Sequence, residues 1–254
     1  MAVAQLNRRT LAVEKKSQGG RDMSGFGRFP GEVLAAEYRN ARLRMQEIAG
    51  DLGHDEVETV VDACPAWRVK DLFSHVTGIA VDLGAGNSPA GDTQIWVDRQ
   101  VGERRNTPLA EVVEEWSRAA DRFESMIEAA PAQLWGLTYD TVVHEHDLRA
   151  AVGRPGARDS NGVKVAAELG LNLVKGDLAR SGLPAVRISF DGREYLVGTG
   201  EPELSWNGSA FDCLRLLGSR RTAEEMKQAG FIGDLDRFLK GLLHMELPVR
   251  SLGE

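Results

Sequence analysis

The stretch YDTVVHEHDLRAAVG, residues 139–153, places Asp140, His144, Glu145, His146 and Asp147 within eight positions. Imidazole nitrogens and carboxylate oxygens at this density can move protons, form ion pairs or hold a divalent cation. A helix sorts them. Each residue advances about 100°, so Asp140 and His144, four apart, share one side with Val143, Asp147, Leu148 and Ala151, while Glu145 and His146 point well away. The H-E-H triplet is therefore not a cluster, and the useful pair is Asp140 with His144. Alone, a D-x3-H pair reads as a surface hydrogen bond, with Asp147 and Arg149 solvated.

His75 adds a third group. In DACPAWRVKDLFSHVTGIAVDLGAG it follows Leu72 by three positions and precedes Ile79 by four, within an apolar stripe, so its ring points into a helical core. It could be a hydrogen-bonded core histidine, or a ligand, because bundle cores are where facing helices build metal sites. His75 with Asp140 and His144 makes two imidazoles and one carboxylate, the ligand count of a catalytic site with an open position. His54, in DLGHDEVE, reads as an exposed loop residue. His244 reads as the end of the last helix, where a cation favours the carbonyl end.

Four helical stretches must position these groups. GEVLAAEYRNARLRMQEIAGDL carries Val33, Leu34, Tyr38, Ala41, Met45 and Ile48 at three-to-four spacing. The His75 segment starts with a Pro-containing turn and stops at glycines. TPLAEVVEEWSRAADRFESMIEAAP can be capped by Thr107, has Pro108 for its first turn and is closed by Pro131. The stretch from Tyr139 is the fourth helix, ending near Gly153. Helices of this length with short loops pack as a bundle.

Beyond RPGARDSN the pattern changes. NGVKVAAELGLNLVKGDLARSG is a fifth helix. AVRISFDGREYLVGTG reads as two alternating runs around Asp191-Gly192, a hairpin signal. PELSWNG can add a strand, and three short helices follow in SAFDCLRLLGSRR, TAEEMKQAG and GDLDRFLKGLLH. The expected organisation is a basic tail over 1–28, expected to be disordered, a four-helix bundle over 29–155 and a smaller mixed α+β domain over 160–254.

The chain has 254 residues, 42% hydrophobic and 27% charged, with a net charge of −7, which disfavours a nucleic-acid-binding surface. No apolar run reaches the roughly 18–20 residues of a membrane span. The tail has neither the apolar core nor the cleavage site of a secretory signal. Cys64 and Cys213 lie far apart without a motif, which fits a reducing cytoplasm.

VDACPAWRVKDLFSHVTG resembles the P-x-C-P-x-W-x-V-x-D-L-x-x-H signature of the mycothiol-dependent maleylpyruvate isomerase family, within the DinB-like four-helix metalloproteins. DTVVHEHDLRAAVG is similar to the family's acidic-x3-His helix, and LSWNGSAFDCLRLLGSRRTAEEM to its C-terminal α/β domain. The resemblance spans about residues 31–245. It implies that His75, Asp140 and His144 hold a divalent metal, zinc above all. Asp140 stands where the family commonly has the longer glutamate, and His146 where it often has an aromatic residue. Arg220, or its neighbour Arg221, corresponds to the arginine of a Gly-Arg element that clamps a substrate carboxylate.

The implied activity is cis–trans isomerisation of maleylpyruvate-like unsaturated acids assisted by the thiol cosubstrate mycothiol, or transfer of that thiol to an electrophile. Thiolate addition to the double bond, rotation and elimination would give the trans product. The implied partners are a small-molecule substrate and a low-molecular-weight thiol, in a cytoplasmic monomer or homodimer that engages neither nucleic acid nor membrane. The competing readings are a non-catalytic metal- or ligand-binding protein, and a metal-dependent hydrolase with Asp147 as general base.

Overall fold

The computed structural model describes residues 27–89, 91–243 and 245–254. The expected tail therefore lies outside the described residues except for Gly27 and Arg28, and so does His244. The described chain divides into two compact units, Phe29–Gly156 and Ala157–Glu254, the second including residues 27 and 28.

The first unit contains α1 (Gly31–Gly50), a single turn α2 (His54–Val57), α3 (Val69–Gly84), α4 (Thr93–Glu103), α5 (Leu109–Ala129) and α6 (Pro131–Ala151). Helices α1, α3, α5 and α6 form the bundle: α1 packs on α5 and α6, and α3 on α5 and α6. Apolar spacing explains the packing. Helix α1 buries Leu34, Tyr38, Ala41, Met45 and Ile48, and α5 buries Val112, Trp116, Ala120, Phe123 and Ile127, each set recurring every three or four residues. The Tyr38 ring meets Phe123 at 5.1 Å and Trp116 at 6.4 Å, and the Trp116 indole N–H donates to the Tyr38 hydroxyl at 2.7 Å. Burial of rings such as Phe73 and Phe123 contributes about 2 kcal/mol apiece.

Two of the longer helices differ from the sequence expectation. The fourth bundle helix starts at Pro131 rather than Tyr139. Pro131 opens α6, at a position where its missing N–H costs nothing. Helix α4 lies in a segment left unassigned. It is capped by Asp92, whose carboxylate accepts the Gln94 N–H at 2.9 Å. It lies along α3, and closely: a Cβ at Gly78 would stand 2.5 Å from the Gln100 side chain.

The second unit contains α7 (Asn161–Ser181), strands β1 (Val186–Phe190), β2 (Arg193–Val197), β3 (Leu204–Gly208) and β4 (Ile232–Gly233), and helices α8 (Ala210–Leu217), α9 (Ala223–Gln228) and α10 (Leu235–Leu242). The sheet order is β2-β1-β3-β4. Strands β1 and β2 form the hairpin at Asp191-Gly192, both residues with positive φ (50° and 77°), the backbone of a type I′ turn. Strand β3 joins β1 in parallel, with Ile188 between Tyr195 and Trp206, and α7 packs against α8 and α10. The whole is an α-helical bundle followed by a mixed α+β unit, and no helix among the described residues is long and apolar enough to cross a membrane.

Candidate metal centre

Helix α3 carries His75, and α6 carries Asp140 and His144 one turn apart; all three are buried. His75 Nε2 lies 3.6 Å from Asp140 Oδ2, and His144 Nε2 lies 3.4 Å from Asp140 Oδ1. One ligand atom from each falls within 4.8 Å of the other two. These separations are long for hydrogen bonds. Both ring nitrogens of His75, Asp140 Oδ1 and His144 Nε2 have no hydrogen-bond partner among the described residues. A buried polar atom left so costs on the order of 1–3 kcal/mol. Donors held about 2.1 Å from one tetrahedral ion stand about 3.4 Å apart. The spacing, the chemistry of the donor set and the orphaned atoms all fit a divalent cation.

Electrostatics divides the three groups. Burial pushes the His75 imidazole down to about 4, against the weaker pull of Asp140, so at neutral pH the ring is uncharged and offers one lone pair. Burial alone would raise Asp140, yet the imidazoles of His144 and His75 hold its carboxyl below the usual range. Burial would likewise lower His144, but Asp140 on one side and Asp147 on the other raise it well above an ordinary histidine.

Asp147 meets His144 on the far side of the ring. His144 Nδ1 lies 3.0 Å from Asp147 Oδ2, and because an ionised carboxylate only accepts, Nδ1 carries the donated proton. The carboxylate is fully buried, which corrects the solvated reading of Asp147. Arg149 is also mostly buried, and its Nε donates to Glu145 at 3.0 Å. Glu145 faces away from the ligand side, as the helical wheel requires, but not into solvent. It accepts two hydrogen bonds from Arg44 of α1, at 2.7 and 2.6 Å. His146 is buried too.

Two further side chains border the centre without having been assigned a role in the sequence. Trp67 packs against it at a tilt, its ring centroid 4.7 Å from that of His75 and 5.9 Å from that of His144. Cys64 lies within ligand distance of His144 and Asp147. A tight loop places both: Cys64 N–H donates to Val61 O at 2.7 Å, Trp67 N–H to Cys64 O at 2.8 Å, and Val61 N–H to Trp67 O at 2.9 Å. Their signal was their position in DACPAWRVKDLFSH, eight (Trp67) and eleven (Cys64) residues ahead of His75. His54 is exposed, at the first position of α2 rather than in a loop.

Arg220 belongs to the second unit. It is buried, follows Ser219 with its positive φ of 60°, and donates from Nη1 to Gly218 O at 2.8 Å. Arg221 instead pairs with Glu254 at 2.6 Å, beside the wholly buried Arg215.

Residues 38–158 match the family described as the mycothiol maleylpyruvate isomerase N-terminal domain. Two solved structures share the fold. A crystal structure of a histidine-to-alanine mutant of the mycothiol-dependent maleylpyruvate isomerase aligns with a TM-score of 0.56 at 10% identity, over 74% of this chain and 88% of the other. A second crystal structure of the mycothiol-dependent maleylpyruvate isomerase aligns at 0.53 and 11% identity, with the same coverage. No curated protein matches.

Proposed function

We propose that this chain, whose residues 38–158 match the mycothiol maleylpyruvate isomerase N-terminal domain, belongs to that family and is a divalent-metal enzyme. It would use mycothiol, or a similar low-molecular-weight thiol, to isomerise maleylpyruvate-like unsaturated acids or to transfer the thiol to an electrophile. The observation that carries this reading is the convergence of His75, Asp140 and His144, four of whose buried polar atoms have no hydrogen-bond partner among the described residues. Zinc is the ion proposed, since two nitrogens and one oxygen suit its borderline character and leave a position open.

When bound, the cation supplies a Lewis acid that favours the thiolate form of an entering thiol. The chain's own groups do the rest. Burial keeps His75 unprotonated and ready to ligate. Asp140 stays ionised and gives the centre one negative charge, on an arm one methylene shorter than the family's usual glutamate. Helices α3 and α6 lie close enough for that shorter arm to come within 3.6 Å of His75 Nε2. Trp67 packs its ring against the two imidazoles on one side. Arg220 is the proposed partner of the substrate carboxylate, by its match to the Gly-Arg element, because a planar guanidinium fork pairs bidentately with a carboxylate.

Turnover of an unsaturated keto acid by the purified zinc-loaded protein, assayed with and without added mycothiol, tests the reading. Activity only when the thiol is present is the expected result. Thiol-independent turnover would point to hydrolysis, and metal retention without turnover in either condition to a non-catalytic binding protein.

A further inference from the structure

We infer that Asp147 is a positioning residue: it fixes the tautomer and orientation of His144 so that the opposite ring nitrogen, Nε2, is presented bare to the ion. The inference rests on the metal-centre reading above and deepens it.

The geometry is one-sided. Oδ2 of Asp147 takes the Nδ1 proton at 3.0 Å, while Nε2 of the same ring faces Asp140 at 3.4 Å and has no hydrogen-bond partner among the described residues. Both carboxylates come from one helix, at positions four before and three after the histidine, so α6 alone aligns Asp140, His144 and Asp147 along one face. A neutral imidazole has one N–H and one lone pair. With the N–H at Nδ1 committed to Asp147, the proton that an ion would displace is the one on Nε2, and the lone pair left there points at the ion position. A carboxylate in this place raises the basicity of the ligating nitrogen and stops the ring from turning over.

The same geometry argues against a general-base role. Asp147 lies behind the ring, a full imidazole away from the ligand atoms, and its carboxylate is fully buried with Cys64 close on that side. A general base must come within hydrogen-bond reach of the proton it takes, directly or through one water, and the imidazole stands in between. Charge points the same way. A divalent ion, two neutral imidazoles and the carboxylates of Asp140 and Asp147 sum to zero, whereas without Asp147 the buried cluster would carry a net positive charge.

Zinc affinity of the full-length protein, measured by chelator competition for wild type, Asp147→Asn and Asp147→Ala, tests this, alongside thermal unfolding of each metal-free form. Expected is a 10- to 100-fold weaker affinity in both variants, without a matching fall in metal-free stability, and a cobalt(II) absorption spectrum that still reports three protein ligands. Unchanged affinity, or a loss that merely tracks metal-free stability, overturns the inference. Should neither variant fold, ring-nitrogen NMR of zinc-loaded wild type still decides: His144 must show a proton on Nδ1 and coordination through Nε2, and the reverse arrangement sinks the idea. A wild-type protein that binds no zinc removes the metal-centre reading itself, which separates the two failures.

Discussion

At the scale of the residue, the centre is a compromise between burial and charge. His75 is an imidazole whose neutral form the fold enforces, and this has a pH signature in the metal-free protein. Its folded value of about 4 lies below the 6.5 of an unfolded chain, so between these limits the unfolded state binds more protons. Stability is therefore full above pH 6.5 and falls as pH drops toward 4, by about 3 kcal/mol for this one group. Urea unfolding of metal-free protein at pH 7 and pH 4.5 should show the loss, and His75→Asn should flatten the difference between the two. His144 acts in the opposite sense: its raised value stabilises the metal-free fold at low pH and ceases to do so as pH climbs through it. The role proposed for Arg220 concerns the substrate rather than the ion. Arg220→Ala should leave zinc content unchanged and raise KM for the acid at least 10-fold, the loss of one charge-assisted carboxylate contact; a variant that loses its metal would contradict that division of roles.

At the scale of the element, the sequence is most readable where one face is apolar and least where none or all is. The spacing of Asp140 and His144 and the apolar setting of His75 needed only a helical wheel, because α3 carries its histidine within a stripe. Helix α6 is harder. Residues 136–148 are buried throughout, so polar groups alternate with apolar ones and no stripe marks the N-terminal turns at Pro131–Thr138. The same burial explains why Glu145 and Asp147 look like solvated residues in the sequence while each has a partner in the fold. Helix α4 escaped because TQIWVDRQVGE offers few apolar positions, and Trp67 and Cys64 because a loop has no period. The hairpin at Asp191-Gly192 was plain from turn chemistry alone. Glu145 ties α6 to α1 through Arg44. Glu145→Gln should destabilise the bundle by about 2 kcal/mol, less than the roughly 3–5 kcal/mol of a fully buried pair because Arg44 is a quarter exposed, while zinc binding survives. Chemical denaturation of the zinc-free variant checks the first statement and chelator competition the second.

At the scale of the whole molecule, the fold joins a helical bundle that contains the candidate metal centre to a mixed α+β unit that contains Arg220. The composition of the chain indicated a globular protein and its motifs the bundle, but a loop's approach to a site depends on packing that no local pattern records. If the bundle core is completed by an ion, folding and metal binding are linked: ligand binding to the native state alone adds about 2.7 kcal/mol at a free concentration one hundred times the dissociation constant. Zinc should therefore raise the melting temperature of wild type and leave that of His75→Ala unmoved.

The most direct measurement is metal content per chain, by elemental analysis of protein purified without added chelator and re-equilibrated with zinc. Wild type should hold about one equivalent through dialysis, and His75→Ala, Asp140→Ala and His144→Ala should each hold none while keeping the helical circular dichroism of the bundle. Wild type that emerges empty, or alanine variants that retain the metal, would contradict a centre built from these three side chains.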